Sequence, residues 1–365
     1  MLLAALLVVT GLAALTVGGD ALVEGAAGLA RRLGLPPLVV GITIVSFGTS
    51  APELAVAVVA ALEGSPDLAV GNVFGSNVFN VLVAAGAAAV VAPLTLSPTL
   101  WKRELPLVLA ATLLVMGLGL SDGELARWEG AVLLALLLSY VGWILARAFA
   151  GKEEVPLDDD DGGQELDAEL KPAVLATVGA VLAFVLGGEP LWAVLGVGAG
   201  SILIVLLTFA TRKVPVTPLL VLALLLGIGM LMAGSELLVD GASTLAYQLG
   251  VSEAVVGLTV VAIGTSAPEL ATTIAAARAG ESDLALGNAL GSNLFNLLCV
   301  LGAAAFITPV AFSQRFLLTD GWVAFASTLI LVPLCFRDRT LGRNRGLVLV
   351  ALWVAYTAYL AISGG

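Results

Sequence analysis

Long apolar runs, separated by short polar segments, make up most of the chain. A helix needs about 20 apolar residues to cross the hydrocarbon core of a bilayer, so each run predicts one membrane-spanning helix. Five runs lie in the first part of the chain, two in the middle and five in the last part. The runs cover residues 1–30, 37–62, 68–92, 105–120, 130–148, 172–188, 191–210, 217–248, 253–277, 285–307, 317–335 and 346–362.

The chain also repeats itself. A shift of 216 residues places 34–86 on 250–302 without a gap, and 29 of these 53 positions are identical. The match predicts two halves with the same five-helix structure, at residues 1–150 and 217–365. The most similar segments are GTSAPELA (48–55 and 264–271) and GNVFGSNVFN (71–80), which returns as GNALGSNLFN (287–296).

The two halves are predicted to be inverted relative to each other. Each half has an odd number of spans and the two inserted spans at 172–216 are an even number, so the second half enters the membrane from the opposite side. Inverted repeats are typical of secondary transporters. We therefore expect an all-α polytopic membrane protein with two inverted-topology five-helix repeats and two extra central spans. That makes about 12 transmembrane helices, or 10 if the central pair does not span.

The basic residues support this layout. With the N-terminus outside, 14 of the 16 Lys and Arg residues fall on the cytoplasmic side, and only Arg127 and Arg315 fall outside. Such an excess is the positive-inside bias of membrane proteins. The sequence thus predicts a multi-pass protein of the cell membrane with both termini outside. An acidic linker at 151–171 would then lie in the cytoplasm.

The composition narrows the chemistry. Hydrophobic residues make up 59% of the chain and charged residues 12%, with a net charge of −11. The charged share is about half that of soluble domains, so lipid must be the solvent for much of the surface, and no nucleic-acid partner is predicted. There is no histidine, which is the commonest general base and transition-metal ligand. The ligands that are left are oxygens, which suit Na⁺, Ca²⁺ or Mg²⁺.

Two glutamates are the strongest candidates for a functional site. Glu53 and Glu269 each fall near the middle of an apolar span, at equivalent positions of the repeated motif. An ionisable side chain at such a depth is costly, and it marks a functional site by default. The alternative interpretation is a structural carboxylate that is protonated or hydrogen-bonded within the helix bundle.

The residues before each glutamate predict a broken helix. Pro52 and Pro268 remove a backbone donor and free carbonyl oxygens one turn earlier. Freed carbonyls inside a membrane must line a polar cavity or bind other protein groups. Hydroxyl groups lie one turn from the glutamates, at Thr49, Ser50, Thr265 and Ser266. A proline kink that is merely satisfied by these hydroxyls is the alternative.

The second motif supplies amides and further hydroxyls. Its candidate ligands are Ser76, Asn80, Ser292 and Asn296. Amide oxygens can ligate Ca²⁺ or Na⁺ without adding charge, but amides can also join helices by hydrogen bonds. Both roles stay open for four further asparagines: Asn72, Asn77, Asn288 and Asn293.

The doubled GTSAPEL and GNxxGSNxFN motifs resemble the paired repeats of the cation/calcium exchanger superfamily, in particular its prokaryotic sodium/calcium antiporters. The resemblance implies that Glu53 and Glu269 are shared ligands for Ca²⁺ and Na⁺. It also implies that Thr49 and Thr265 complete a Ca²⁺ site and that Asn80 and Asn296 close the middle. Ser50 with Ser76, and Ser266 with Ser292, would frame flanking Na⁺ sites. Some members of the superfamily have an aspartate where this chain has Asn296.

We therefore expect a secondary active antiporter that exchanges Ca²⁺ for Na⁺ by alternating access, and neither an enzyme nor a carrier of a prosthetic group. Proton-coupled exchange at the same glutamates is the alternative, and a cation channel is the remote one. Participation of K⁺ and the oligomeric state stay open.

Overall fold

The computed structural model describes residues 1–150, 216–249 and 262–363. The acidic linker predicted at 151–171 and the spans predicted at 172–188 and 191–210 lie outside the described residues, as does the first part of the span predicted at 253–277. The described structure is almost entirely helical. Its helices are α1 (Leu2–Leu33), α2 (Pro37–Thr49), α3 (Ala51–Leu62), α4 (Pro66–Val91), α5 (Leu100–Asp122), α6 (Arg127–Phe149), α7 (Val216–Gln248), α8 (Ala262–Thr265), α9 (Ala267–Arg278), α10 (Ser282–Ile307), α11 (Phe316–Cys335) and α12 (Arg343–Ser363).

Seven helices in the described part of the chain are long and apolar enough to cross a membrane, or eight if α2 and α3 form one broken span. The axes of α2 and α3 differ by 47°. The break lies at Ser50, two residues before Pro52, where the sequence predicts it. This geometry supports a multi-pass membrane protein.

Helices α4 and α10 lie at the centre of the described structure. Within the apolar window of each, 78% of the residues are buried, whereas the figure for α6 is 22%. Both helices change to a π turn at an asparagine, over Asn80–Ala85 and Asn296–Val300. A π turn inserts one extra residue and often marks a functional site. Hydrophobic periodicity did not predict these turns, because it distinguishes a buried side from an exposed one and most of each central helix is buried.

Helices α1 and α7 occupy equivalent positions in the two halves and pack closely against each other. A Cβ atom on Gly11 would lie 2.8 Å from Gly234 O, and a Cβ on Gly227 would lie 2.8 Å from Gly18 O. Small residues allow this approach of two backbones inside a membrane. Because the partner number falls as the α1 number rises, the two helices run antiparallel.

Two very short strand pairs join loops from opposite halves. The strands are β1 (Leu94–Thr95), β2 (Glu124–Leu125), β3 (Val310–Ala311) and β4 (Thr340–Leu341). They form the antiparallel pairs β1 with β4 and β2 with β3. The all-α prediction did not include these strands, because segments of two residues are too short to produce a periodic pattern.

Each half also contains a buried carboxylate that binds a tyrosine from its last helix. The phenol of Tyr140 donates to Glu104, and that of Tyr356 donates to Asp320 Oδ1 over 3.0 Å. Both carboxylates lie at the end of a π turn that opens α5 or α11. The same tertiary contact is therefore built twice, in keeping with the repeat in the sequence.

Candidate ion-binding site

Glu53 and Glu269 lie in the first turns of α3 and α9, directly after the two helix breaks. Both residues are 0% exposed. A helix that starts at a break places its first-turn side chains at the interruption, where backbone groups of the preceding segment end. The sequence predicts both carboxylates as deeply buried, and the structure buries both.

Serines from opposite halves bind the two carboxylates. Ser50 Oγ donates to Glu269 Oε1 over 3.2 Å, and Ser266 Oγ donates to Glu53 Oε1 over 3.1 Å. Each serine is the residue at the break that precedes the glutamate helix of its own half. The two helix breaks therefore face each other. Glu53 and Glu269, which are 216 positions apart in the sequence, belong to one polar cluster.

Further hydroxyls extend this cluster. Ser76 Oγ lies 3.4 Å from Glu53 Oε1 and 2.9 Å from Ser266 Oγ. Thr49 Oγ1 lies 3.3 Å from Ser292 Oγ. The expected framing of Na⁺ sites by Ser50 with Ser76 and by Ser266 with Ser292 stays a prediction. The hydrogen bonds in the structure connect the hydroxyls across the two halves.

Thr265 ends α8 and is buried beside the second break. The carbonyl of its neighbour Gly264 accepts a hydrogen bond from Ser235 Oγ of α7. In the first half, Thr49 Oγ1 donates to Ser46 O over 3.4 Å. Side-chain hydroxyls thus satisfy carbonyls near both breaks. Sequence reasoning missed Ser235, because the corresponding residue of the first half is Gly19 and the repeat therefore gives no signal.

Asn72 and Asn288 brace the backbone of the glutamates. Asn72 Nδ2 donates to Glu53 O over 3.1 Å, and Asn288 Nδ2 donates to Glu269 O over 3.3 Å. These bonds satisfy carbonyls of the first turn after each break. Both amide nitrogens therefore join helices by hydrogen bonds, and a ligand role for the amide oxygens stays open.

Asn80 and Asn296 each donate a hydrogen bond from the side-chain amide nitrogen to the opposite half. Asn80 Nδ2 donates to Asn293 Oδ1, and Asn296 Nδ2 donates to Asn77 Oδ1, each over 3.1 Å. All four asparagines are buried. The second motif of each half is thereby joined to the second motif of the other.

Four buried oxygens of this cluster have no hydrogen-bond partner in the described structure. They form two repeat-related pairs: Glu53 Oε2 with Glu269 Oε2, and Asn80 Oδ1 with Asn296 Oδ1. A buried acceptor without a partner costs about 1–3 kcal/mol, and more if it is charged. Carboxylate and amide oxygens are ligands that hard cations prefer. This set of oxygen atoms therefore fits a hard cation such as Na⁺ or Ca²⁺ better than it fits a transition metal.

The charge of the cluster comes from the two glutamates. Among the described residues, no group of three or more Asp, Glu, Cys or His side chains could hold a metal ion. The site thus combines two carboxylates with neutral hydroxyl and amide oxygens. Such a set carries fewer carboxylates than the acid-rich loops of EF-hands.

Comparisons with known proteins agree with this architecture. A sequence model of the family described as "Sodium/calcium exchanger protein" matches residues 3–146 and 219–362, which are the two halves of the repeat. The inner membrane protein YrbG of Escherichia coli (strain K12) is 36% identical over 99% of this chain and 97% of its own length. The sodium/calcium exchanger MaX1 of Methanosarcina acetivorans is 27% identical over 97% of each chain.

Solved structures share the fold. A structure of the sodium-calcium exchanger NCX_Mj, at 24% identity, superposes with a TM-score of 0.74 and covers 98% of this chain and 99% of its own. The family model that matches both halves confirms the resemblance to cation/calcium exchangers predicted from the two motifs. MaX1 and NCX_Mj are named as exchangers, which are transporters rather than enzymes. The chain belongs to the sodium/calcium exchanger protein family.

Proposed function

We propose that this protein is a secondary active antiporter that exchanges Ca²⁺ for Na⁺ across the membrane, with Glu53 and Glu269 as ligands shared by both ions. The observation that carries the proposal is the set of four buried oxygens without hydrogen-bond partners, two from the glutamates and two from Asn80 and Asn296. A transported cation would supply the missing partner to all four. The family match supports cation exchange as the general activity.

The charge of the site supports competition between the two ions. Two ionised carboxylates are neutralised by one Ca²⁺ or by two Na⁺, and the neutral Asn296 adds no further charge. Because both ions need the same carboxylates, occupation by one excludes the other. Exchange then requires no separate coupling device.

The remaining ligands are proposed by position. Thr49 and Thr265, at the two breaks, would complete the Ca²⁺ site. The four serines, which contact the carboxylates or neighbouring hydroxyls, would serve flanking Na⁺ sites: Ser50, Ser76, Ser266 and Ser292. Asn80 and Asn296 would close the middle with their amide oxygens.

Alternating access would use the inverted arrangement of the halves. The antiparallel packing of the repeat-related helices α1 and α7 supports this arrangement, because equivalent helices of inverted repeats run in opposite directions. Sliding of this pair across the other helices would expose the site to one side and then to the other. We further propose ten or 12 spans in the cell membrane, with both termini outside and the acidic linker in the cytoplasm.

The test is ⁴⁵Ca²⁺ uptake into liposomes that contain the purified protein, loaded with Na⁺ and diluted into Na⁺-free buffer at matched pH. We expect uptake that disappears when internal Na⁺ is replaced by choline. Uptake driven by an acid interior but not by Na⁺ would contradict Na⁺ coupling and establish proton-coupled exchange. Unsaturable flux without counter-ion dependence would instead indicate a channel.

A further inference from the structure

The orientations of two central amides are determined by backbone carbonyls. Asn77 Nδ2 donates to Asn293 O over 3.2 Å, and Asn293 Nδ2 donates to Asn77 O over 3.1 Å. A carbonyl oxygen can only accept a hydrogen bond, so the side-chain atom that faces it must be the amide nitrogen. The Oδ1 atoms of Asn77 and Asn293 must therefore point the other way.

This constraint passes to the next pair of amides. Asn77 Oδ1 can only accept, so Asn296 must present Nδ2 to it, and the two atoms are 3.1 Å apart. Asn293 Oδ1 likewise receives Asn80 Nδ2 over 3.1 Å. The other polar atom of each donating amide, Oδ1 of Asn80 and of Asn296, has no hydrogen-bond partner among the described residues.

We infer that Asn77 and Asn293 are positioning residues that hold Asn80 and Asn296 with their carbonyl oxygens toward the transported cation. The inference rests on the proposed function, because it takes the ligand to be a hard cation such as Ca²⁺ or Na⁺. An amide that rotated by half a turn would present N–H groups to the cation and repel it. Two hydrogen bonds in series prevent that rotation in each case. A backbone carbonyl fixes the amide of Asn77 or Asn293, and that amide in turn fixes the amide of Asn296 or Asn80.

The connections are crossed between the halves, and this makes the inference specific. Asn77 acts on Asn296, which belongs to the other repeat, and not on Asn80, which lies one helical turn away on the same helix. Asn293 acts on Asn80 in the same way. A role in simple helix packing would produce no such selective pairing.

The experiment is a set of double-mutant cycles read by equilibrium ⁴⁵Ca²⁺ binding to the purified full-length protein in detergent. N77A should weaken Ca²⁺ binding by about 10–100-fold, the usual effect of removing a residue that orients a metal ligand. In an N296A background N77A should have almost no further effect, whereas in an N80A background its effect should persist. N293A should show the opposite pattern, and it tests the same inference if N77A does not fold.

T112V is the matched control, since Thr112 is buried and hydrogen-bonded to Val108 O on α5, outside the candidate site. Its Ca²⁺ affinity should equal that of the original protein. Equal effects of N77A in both backgrounds, or no loss of affinity, would overturn the inference, as would a parent protein that binds no Ca²⁺. Binding with the crossed pattern but without Na⁺-driven uptake would sustain the inference and reject the proposed exchange.

Discussion

Ser50 Oγ lies 3.2 Å from Glu269 Oε1, so a hydroxyl of the first half donates to the carboxylate of the second. The reverse bond, from Ser266 to Glu53, measures 3.1 Å. In these two contacts, each glutamate accepts a hydrogen bond from the opposite half. The polar cluster therefore forms only where the two halves meet, so a substitution in one half changes the hydrogen bonds of the carboxylate in the other.

The first prediction concerns the two carboxylates. E53Q and E269Q should each abolish Na⁺-driven ⁴⁵Ca²⁺ uptake, because glutamine keeps an oxygen but removes the charge that neutralises the cation. The fold should survive, since a buried neutral amide is less costly than a buried carboxylate. Uptake into liposomes and thermal unfolding in detergent measure the two effects.

E63Q is the control for this pair, since Glu63 is exposed at the end of α3, ten residues beyond Glu53. Its uptake should match that of the original protein. Near-normal uptake by E53Q or by E269Q would reject that glutamate as a ligand.

The second prediction concerns the contact between α1 and α7. A Cβ on Gly227 would lie 2.6 Å from Leu22 N, whereas nothing lies within 4 Å of a Cβ on Gly229. G227A should therefore destabilise the protein by about 1–3 kcal/mol through overpacking. G229A, two residues along the same helix, should be neutral or slightly stabilising, because alanine is the better helix former. Equal melting temperatures for the two variants would show that α1 and α7 do not pack as described.

The third prediction concerns the buried carboxylate of the second half. Y356F removes the 3.0 Å hydrogen bond from Tyr356 to Asp320 and leaves a buried charge with one partner fewer. Hydrogen bonds to charged groups contribute about 1.5–3 kcal/mol, so the free energy of unfolding should fall by that amount. Y359F, at an exposed position on the same helix, should leave it unchanged. A similar small effect of both changes would contradict this role of Tyr356.

The fourth prediction concerns an ion pair that joins the two halves and has no repeat-related counterpart. Arg278 of α9 lies 2.7 Å from Asp20 of α1, whereas the position equivalent to Arg278 in the first half is Leu62. Both side chains are partly exposed, so R278L should change stability by no more than about 1 kcal/mol. If α1 slides during transport, the pair must break, and R278L should alter the ratio of the Ca²⁺ affinities measured from the two sides of the membrane.

Charge reversal tests whether the pair itself causes that change. The double variant D20R/R278D should restore the original ratio of affinities, because the attraction is re-formed with exchanged signs. High salt should reduce the difference between R278L and the original protein, since exposed pairs are screened. A ratio that the double variant fails to restore would exclude this ion pair as the cause.

Much of the fold follows from the sequence. Hydrophobic length alone places most helices to within a few residues, such as 130–148 for the helix observed at Arg127–Phe149 and 317–335 for that at Phe316–Cys335. The repeat of 216 residues identifies both halves and both glutamates without any tertiary information. A helix in lipid must satisfy its own backbone and expose apolar side chains, so its position is written locally in the chain.

Contacts between helices that are distant in sequence were decided by the tertiary structure alone. No local pattern indicates that Ser50 binds Glu269, that Ser235 satisfies Gly264 O, or which side of the Asn296 amide faces its neighbour. These features depend on which donors and acceptors meet when helices far apart in sequence pack together. A side-chain amide in particular carries an oxygen and a nitrogen of nearly equal size, and only its hydrogen-bond partners determine which of the two points into the site.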